Sequence, residues 1–226
     1  MAKIDFHAHI LPCCDHGSNS LETSLKQLDL ARKADVDIVC ATSHYYGHKE
    51  SANEFLKRRK ESGAKLKSAL LKTHPLILEG AEVLAFEGIE KLKDLQSLCL
   101  EGTDLLLLEL PFSNLNSRLL RSVEQLCLSS EIQIVLAHVD RYDFSLLYPL
   151  CQSGALCQLN AESLTGFYIK PHIKRMIDED LVVALGSDIH LTATGYVPWL
   201  RAQRRHRKVF EKITDKTNSI IENHRL

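Results

Sequence analysis

The sequence predicts an α/β fold built on a parallel barrel, and three observations carry that expectation. At 226 residues, 45% of them hydrophobic, the chain can bury one sizeable core and falls in the usual range for a single α/β barrel. Short apolar runs recur along it, seven in all, most of them followed by an amphipathic stretch, as βα units require. No repeat, low-complexity tract or linker divides the chain, so residues 1–226 read as one domain.

The first run, Lys3 to Ile10, alternates Ile4, Phe6, Ala8 and Ile10 with Asp5, His7 and His9, and period two puts both histidines on one face. Asn19 with Glu22 three residues on, ahead of Leu21, Leu25, Leu28 and Ala31 along one side, predicts a capped amphipathic helix. The second run is Val36 to Thr42. Ser51 and Glu54 repeat the capping pattern, and the stretch they open, to about Leu71, carries KRRKE, which reads as a solvated helix face in preference to a phosphate-binding one. Leu76 to Val83 and Leu105 to Leu110 are the third and fourth runs. Leu115, Leu119, Val123 and Leu126 then form a helical stripe that packs on the sheet. Ile132 to Ala137, Ala155 to Ala161 and Leu181 to Gly186 complete the set; these mostly unbroken apolar runs are those of strands covered on both faces.

Charge and cysteine usage exclude several classes. With 28 Lys+Arg against 29 Asp+Glu, the net charge of -1 gives no footprint for nucleic acid or an anionic membrane. No apolar run approaches the roughly 18 residues of a membrane span, and MAKIDFHAHI lacks a secretory pattern, so the expected location is the cytoplasm. Seven cysteines without Cys-x-x-Cys spacing fit neither a disulfide framework nor a zinc ribbon, and Cys40, Cys99, Cys127 and Cys157 lie in apolar runs as core residues. No cysteine has an arginine six residues later, and no G-x-S-x-G or P-loop occurs, so a thiolate phosphoenzyme and those nucleotide and serine chemistries are set aside.

The chemistry lies where the runs end. His7 and His9 close the first, His44 follows the second, Glu82 and Glu109 end the third and fourth, His138 follows the fifth with Arg141 behind it, Asn160 ends the sixth, and Asp188 and His190 follow the seventh. In a parallel barrel all carboxyl ends open on one rim, where barrel active sites are built, so these residues would converge. Imidazole with carboxylate and no clustered thiolate suits Mn, Zn or Fe. The number of candidates implies two or three ions bridged by a shared carboxylate.

The ordered set H-x-H, ATSH, GAEV, LELPF, AHVDRY, QLNAES and GSDIH resembles the PHP (polymerase and histidinol phosphatase) superfamily, and within it the bacterial manganese-dependent protein-tyrosine phosphatases of capsule and exopolysaccharide loci, the CpsB/CapC type. The likeness runs from Lys3 to about His190. It implies a distorted (β/α)7 TIM-like barrel with three divalent ions, Mn with Zn or Fe as alternatives, at the carboxyl ends of the strands. By this resemblance His7, His9 and Asp188 hold the first ion, Glu82 bridges to a second completed by Glu109 and His138, and His44 and His190 bind the third. Relatives often read L-P-G-x-D-D-G where this chain reads LPCCDHG, so His16 is taken as the remaining ligand, with Asp15 as its substitute; Cys13 and Cys14 are read as packing or loop residues. Relatives also place an arginine after the GSDIH motif, but LTATGYVPWL has none before Arg201, leaving that phosphate contact absent or supplied by RAQRRHRK, itself read as an exposed helix face.

The resemblance implies a phosphomonoesterase acting on phosphotyrosine, its substrate the tyrosine tail of a bacterial polysaccharide kinase, without nucleic-acid partners or membrane insertion. Glu82, Glu109 and Asp188 cancel half the charge of three divalent ions, and a phosphate dianion with hydroxide would balance the rest. Bridged cations lower the pKa of water towards ~7. Arg141 is the catalytic candidate outside the ligand set, a forked donor for the equatorial phosphate oxygens. Two alternatives stand beside this reading: a small-molecule phosphatase of the histidinol-phosphate type or a nucleotide phosphoesterase, and a non-catalytic metal-binding module of a polysaccharide-export complex.

Overall fold

The computed structural model describes residues 1–113, 115–191 and 195–226. The seven apolar runs form one sheet of seven parallel strands whose order follows the chain. The elements are β1 (Ile4–Ala8), α1 (Leu21–Lys33), β2 (Ile38–Tyr45), α2 (Ala52–Lys67), β3 (Leu76–Leu84), α3 (Leu95–Leu98), β4 (Leu105–Glu109), α4 (Ser117–Cys127), β5 (Gln133–Leu136), α5 (Phe144–Gln152), β6 (Leu156–Asn160), α6 (Pro171–Asp178), β7 (Val182–Gly186), α7 (Val197–Arg205) and α8 (Arg207–Asn223).

The sheet curls into a nearly closed barrel. Its seam, between β1 and β7, is joined at the carboxyl end by a parallel bridge of Ala8 and Ile189, with Asp188 N donating to His7 O at 2.8 Å. Buried Asp5 stitches the same seam, accepting from Ser187 N at 2.7 Å and from the Tyr196 hydroxyl. On the outside, α8 bridges the gap through Asn218 Nδ2 to Ala2 O and Thr217 Oγ1 to Val183 O, both 2.8 Å.

Two apolar layers follow from strand alternation. Val39, Ala41, Leu106, Leu108, Ile134 and Leu136 face the helices, while Ile4, Phe6, Leu105, Leu107 and Val135 fill the barrel. Ile220 and Ile221 from the end of α8 join this inner cluster and stop the amino-terminal mouth; burial of such side chains contributes roughly 1.5–3 kcal/mol each. His224 Nδ1 on Asp104 at 2.7 Å fixes the end of that helix beneath the barrel.

Local details correct some expectations. The cap of α1 is Ser20, which accepts from Thr23 N, one residue beyond the expected Asn19. The Ser51–Glu54 capping box forms as expected. The KRRKE stretch is not simply solvated: Arg58 pairs with Glu50 and donates to Cys14 O at 2.8 Å, and Arg59 donates to Ser97 O. These arginines fasten α2 to the loop after β1 and to α3. Cys40, Cys99 and Cys157 are buried as expected, Cys127 only partly; Cys14 is buried and Cys13 exposed.

Candidate metal centre

Strand β1 does not alternate cleanly. Asp5 pairs with Val39 but Ala8 with Ala41, so one extra residue is accommodated between them. Ile4 and Phe6 point into the barrel before this irregularity, and His7 and His9 point into its mouth after it, whereas Ala8 joins the outer layer. Strand irregularities of this kind re-aim side chains beside active sites. On β2 and β3 the register is regular and sets His44 directly beside Glu82; the next pairing places Glu109 beside Leu84. Gly186 is required by proximity, since a Cβ there would lie 2.5 Å from His7 Cβ. His138 (φ 32°) and Asp188 (φ 51°) both occupy the left-handed region, a costly conformation for non-glycine residues that is typical of functional sites.

Around Glu82 the side chains converge. Its Oε2 lies 2.9 Å from His44 Nδ1 and 3.3 Å from both His7 Nε2 and His9 Nε2; its Oε1 lies 3.0 Å from His138 Nε2. His138 Nε2 is also 3.3 Å from Glu109. Asp188 Oδ1 approaches His9 Nε2 at 3.4 Å, His190 Nδ1 at 3.5 Å and His7 Nε2 at 3.7 Å. Three overlapping sets have ligand atoms within 4.8 Å of one another: His7, His9 and Asp188; His44, Glu82 and Glu109; and His9, His44 and His190.

A second tier fixes ring orientation. His9 Nδ1 faces Asp15 Oδ2 at 2.9 Å and His7 Nδ1 faces Gln158 Oε1 at 3.1 Å; both partners are acceptors, so each ring donates from Nδ1. Their Nε2 lone pairs are thereby turned towards each other, 3.1 Å apart, beside two carboxylates. Gln158 Oε1 also accepts from His138 N at 2.7 Å. The remaining oxygen of Asp188 is held by Asn160 Nδ2 at 3.0 Å and by Arg141.

Such convergence of lone pairs and carboxylates needs positive charge between them. Glu82 Oε2 is buried and accepts no hydrogen bond despite its three nitrogen neighbours, and His44 Nδ1 and His190 Nε2 are likewise buried without one. That donor set fits divalent cations. Without them, protons must serve: burial pushes His9 down, but Asp15, Asp188 and Glu82 carry it well above its ordinary value. Burial raises Glu82, yet the charge of His7, the hydrogen bond from His138 and the adjacent imidazole of His44 hold it well below the carboxylate range. His190 is pushed to about 4, first by burial and then by the charge of His9, so it stands neutral near pH 7.

His7, His9, His44, Glu82, Glu109, His138, Asp188 and His190 therefore meet at one mouth. His16 stands at its edge, exposed, its ring 4.7 Å from those of His44 and His190. Asp15 is turned away to His9 and to the backbone N–H groups of Gly17 and His44. Arg141, 39% exposed at its side chain, reaches the same mouth. RAQRRHRK lies elsewhere: Arg204 and Arg207 line a pocket with Met1 and Lys3 at the amino end of β1. Of LTATGYVPWL, residues 192–194 lie outside those described. Sequence reasoning passed over Gln158 and Asp5, although each stands two residues before a flagged position, Asn160 and His7, on a strand.

A sequence model of the family described as capsular polysaccharide synthesis, CpsB/CapC, matches residues 3–222. The chain belongs to the CpsB/CapC family. The match runs through α8, well past the His190 limit expected from motifs alone. Tyrosine-protein phosphatase YwqE of Bacillus subtilis is 29% identical over 209 residues, covering 84% of this chain and 78% of that protein. A CapC protein of Staphylococcus aureus is 28% identical over 197 residues, covering 83% and 76%. Among solved structures, one from work on YwqE of Bacillus subtilis and CpsB of Streptococcus pneumoniae, described as metal-dependent tyrosine phosphatases, aligns with a TM-score of 0.78 at 23% identity over 99% of this chain and 96% of that one. A β-aspartyl dipeptidase of Fervidobacterium islandicum aligns with a TM-score of 0.51 at 13% identity, over 95% and 71%. A barrel of this shape thus hosts different reactions, and the site must decide among them.

Proposed function

We propose that this CpsB/CapC family member is a metal-dependent protein-tyrosine phosphatase, acting as one unit across residues 1–226. The observation that carries the reading is the convergence of His7 and His9 lone pairs with Glu82 and Asp188 at the barrel mouth, with Arg141 beside them. Three divalent ions, Mn in the first place, are assigned as follows: His7, His9 and Asp188 to the first, Glu109 and His138 to the second, His44, His190 and His16 to the third, with Glu82 bridging the first two. His16 is the natural completion of the third set because its ring stands beside both partners. When bound, the ions supply Lewis acidity and a water of lowered pKa.

The chain's own residues do the rest. Asp15 and Gln158 hold the His9 and His7 rings in one tautomer, and Asn160 steadies Asp188. Arg141 pairs with only one oxygen of Asp188, and its other guanidinium donors serve the equatorial oxygens of a phosphate, where charge sits in a loose transition state. A phenolate leaving group, of pKa about 10, asks little of a general acid. The substrate proposed is the phosphotyrosine tail of a bacterial polysaccharide kinase, met in the cytoplasm. No helix among the described residues is long and apolar enough to cross a membrane.

Turnover of a phosphotyrosine peptide, histidinol phosphate and an oligonucleotide, side by side with Mn, tests the reading. Preference for the peptide, abolished by chelator, is expected. Preference for either of the others overturns the substrate, and absence of any chelator-sensitive hydrolysis overturns the enzyme.

A further inference from the structure

The metal mouth opens into a cavity of roughly 700 Å3 whose lining includes two aromatic side chains, Tyr46 and Phe112. They are not equivalent. Tyr46 stacks on His44 at 5.3 Å and carries the Lys49 ammonium over its ring at 4.2 Å, so cationic and aromatic neighbours already engage it. Phe112 lies nearly parallel to His138 (6.0 Å, 13°) and to Tyr142 (5.5 Å, 8°), and those two rings are 5.9 Å from each other. His138 and Tyr142 are the aromatic neighbours of Phe112 among the described residues. Phe112 nonetheless remains 64% exposed, lining the cavity at the edge of a buried polar cluster.

An apolar ring flanked by two near-parallel rings, beside the candidate metal ligands and still largely exposed, is suited to an aromatic substrate group. We propose that Phe112 is the ring platform that selects aryl phosphates: the phosphoryl group enters the mouth beside His138 and Arg141 while the phenyl ring stacks on the exposed part of the Phe112 ring. This deepens the phosphatase reading and rests on it. Phe112 touches the substrate's ring rather than the reacting atoms, so it sets specificity and leaves the chemistry to the cup.

The test uses two inhibitors with the same head group, phenylphosphonate and methylphosphonate, competing against p-nitrophenyl phosphate in the Mn-loaded full chain. Offset or edge-on aromatic pairs are worth enough to change affinity about 3- to 10-fold. Phe112→Ala and Phe112→Leu are expected to raise the inhibition constant for phenylphosphonate by about that factor and leave methylphosphonate within about twofold, with metal content unchanged; Phe112→Tyr is expected to keep the wild-type selectivity. Equal shifts for both inhibitors, or loss of metal, would assign Phe112 to shielding His138 and overturn the proposal, as would no shift at all. If the wild-type chain turns over no phosphomonoester, the phosphatase reading itself falls; if it does and selectivity is unmoved by Phe112, only the platform falls.

Discussion

Asp15 Oδ2 accepts from His9 Nδ1 at 2.9 Å and from the backbone N–H of His44 at the same distance, so one carboxylate orients two candidate ligands from different strands. Carboxylates in this position fix the tautomer and raise the basicity of a ligating imidazole. Asp15→Asn should therefore weaken metal binding by about 10- to 100-fold while excess Mn restores much of the turnover. Metal titration followed by activity checks it; wild-type affinity in the variant would mean that Asp15 neither orients nor binds.

Glu82 is the residue on which His7, His9, His44 and His138 all converge. Glu82→Ala should abolish hydrolysis and lower the metal content of the purified protein, with far-ultraviolet circular dichroism unchanged. Near-normal turnover would remove Glu82 from the bridge.

Arg141 shares its Asp188 oxygen with Asn160, so its loss leaves that oxygen still bonded. Arg141→Ala is expected to retain metal and to lower kcat/KM for an aryl phosphate on the order of tenfold, the scale of one charge-assisted hydrogen bond. Depletion of metal in this variant would make Arg141 a support for Asp188 instead.

Far from the site, Asp180 receives Lys212 and Lys216, each at 2.8 Å, and joins α8 to the turn before β7. Hydrogen bonds from Lys212 and then Lys216 hold its carboxyl at about 2, below its ordinary 3.8. A depressed carboxyl stabilises the fold above its unfolded value and loses that contribution as pH falls through the folded one. Asp180→Asn, which tolerates the local φ of 62°, should melt slightly below wild type at neutral pH, the gap closing towards pH 2. A gap independent of pH would show that charge is not its source.

How much was legible depended on whether the cause was local. Continuous apolar runs such as Leu105 to Leu110 marked the strands because burial on both faces leaves little room for polar residues, and histidines and glutamates at run ends marked the rim because parallel strands all finish there. The Asn19 cap failed because three polar residues precede Leu21 and only backbone geometry chooses among them. Gln158 was silent because its task, holding His7 and His138, exists only once β1, β5 and β6 are side by side. Asp5 was missed for the same reason, its partners arriving from Ser187 and Tyr196. The irregularity in β1 that turns both Phe6 and His7 inward leaves no mark in a period-two pattern.

With Phe6, Leu105 and Leu107 filling the barrel above Ile220 and Ile221, the interior offers no passage among the described residues, and the candidate ligands are approached from the carboxyl rim. A phosphomonoester and the phosphate released from it would therefore share one route. Competitive inhibition by free phosphate, relieved when the product is removed, is the expected outcome of that shared route.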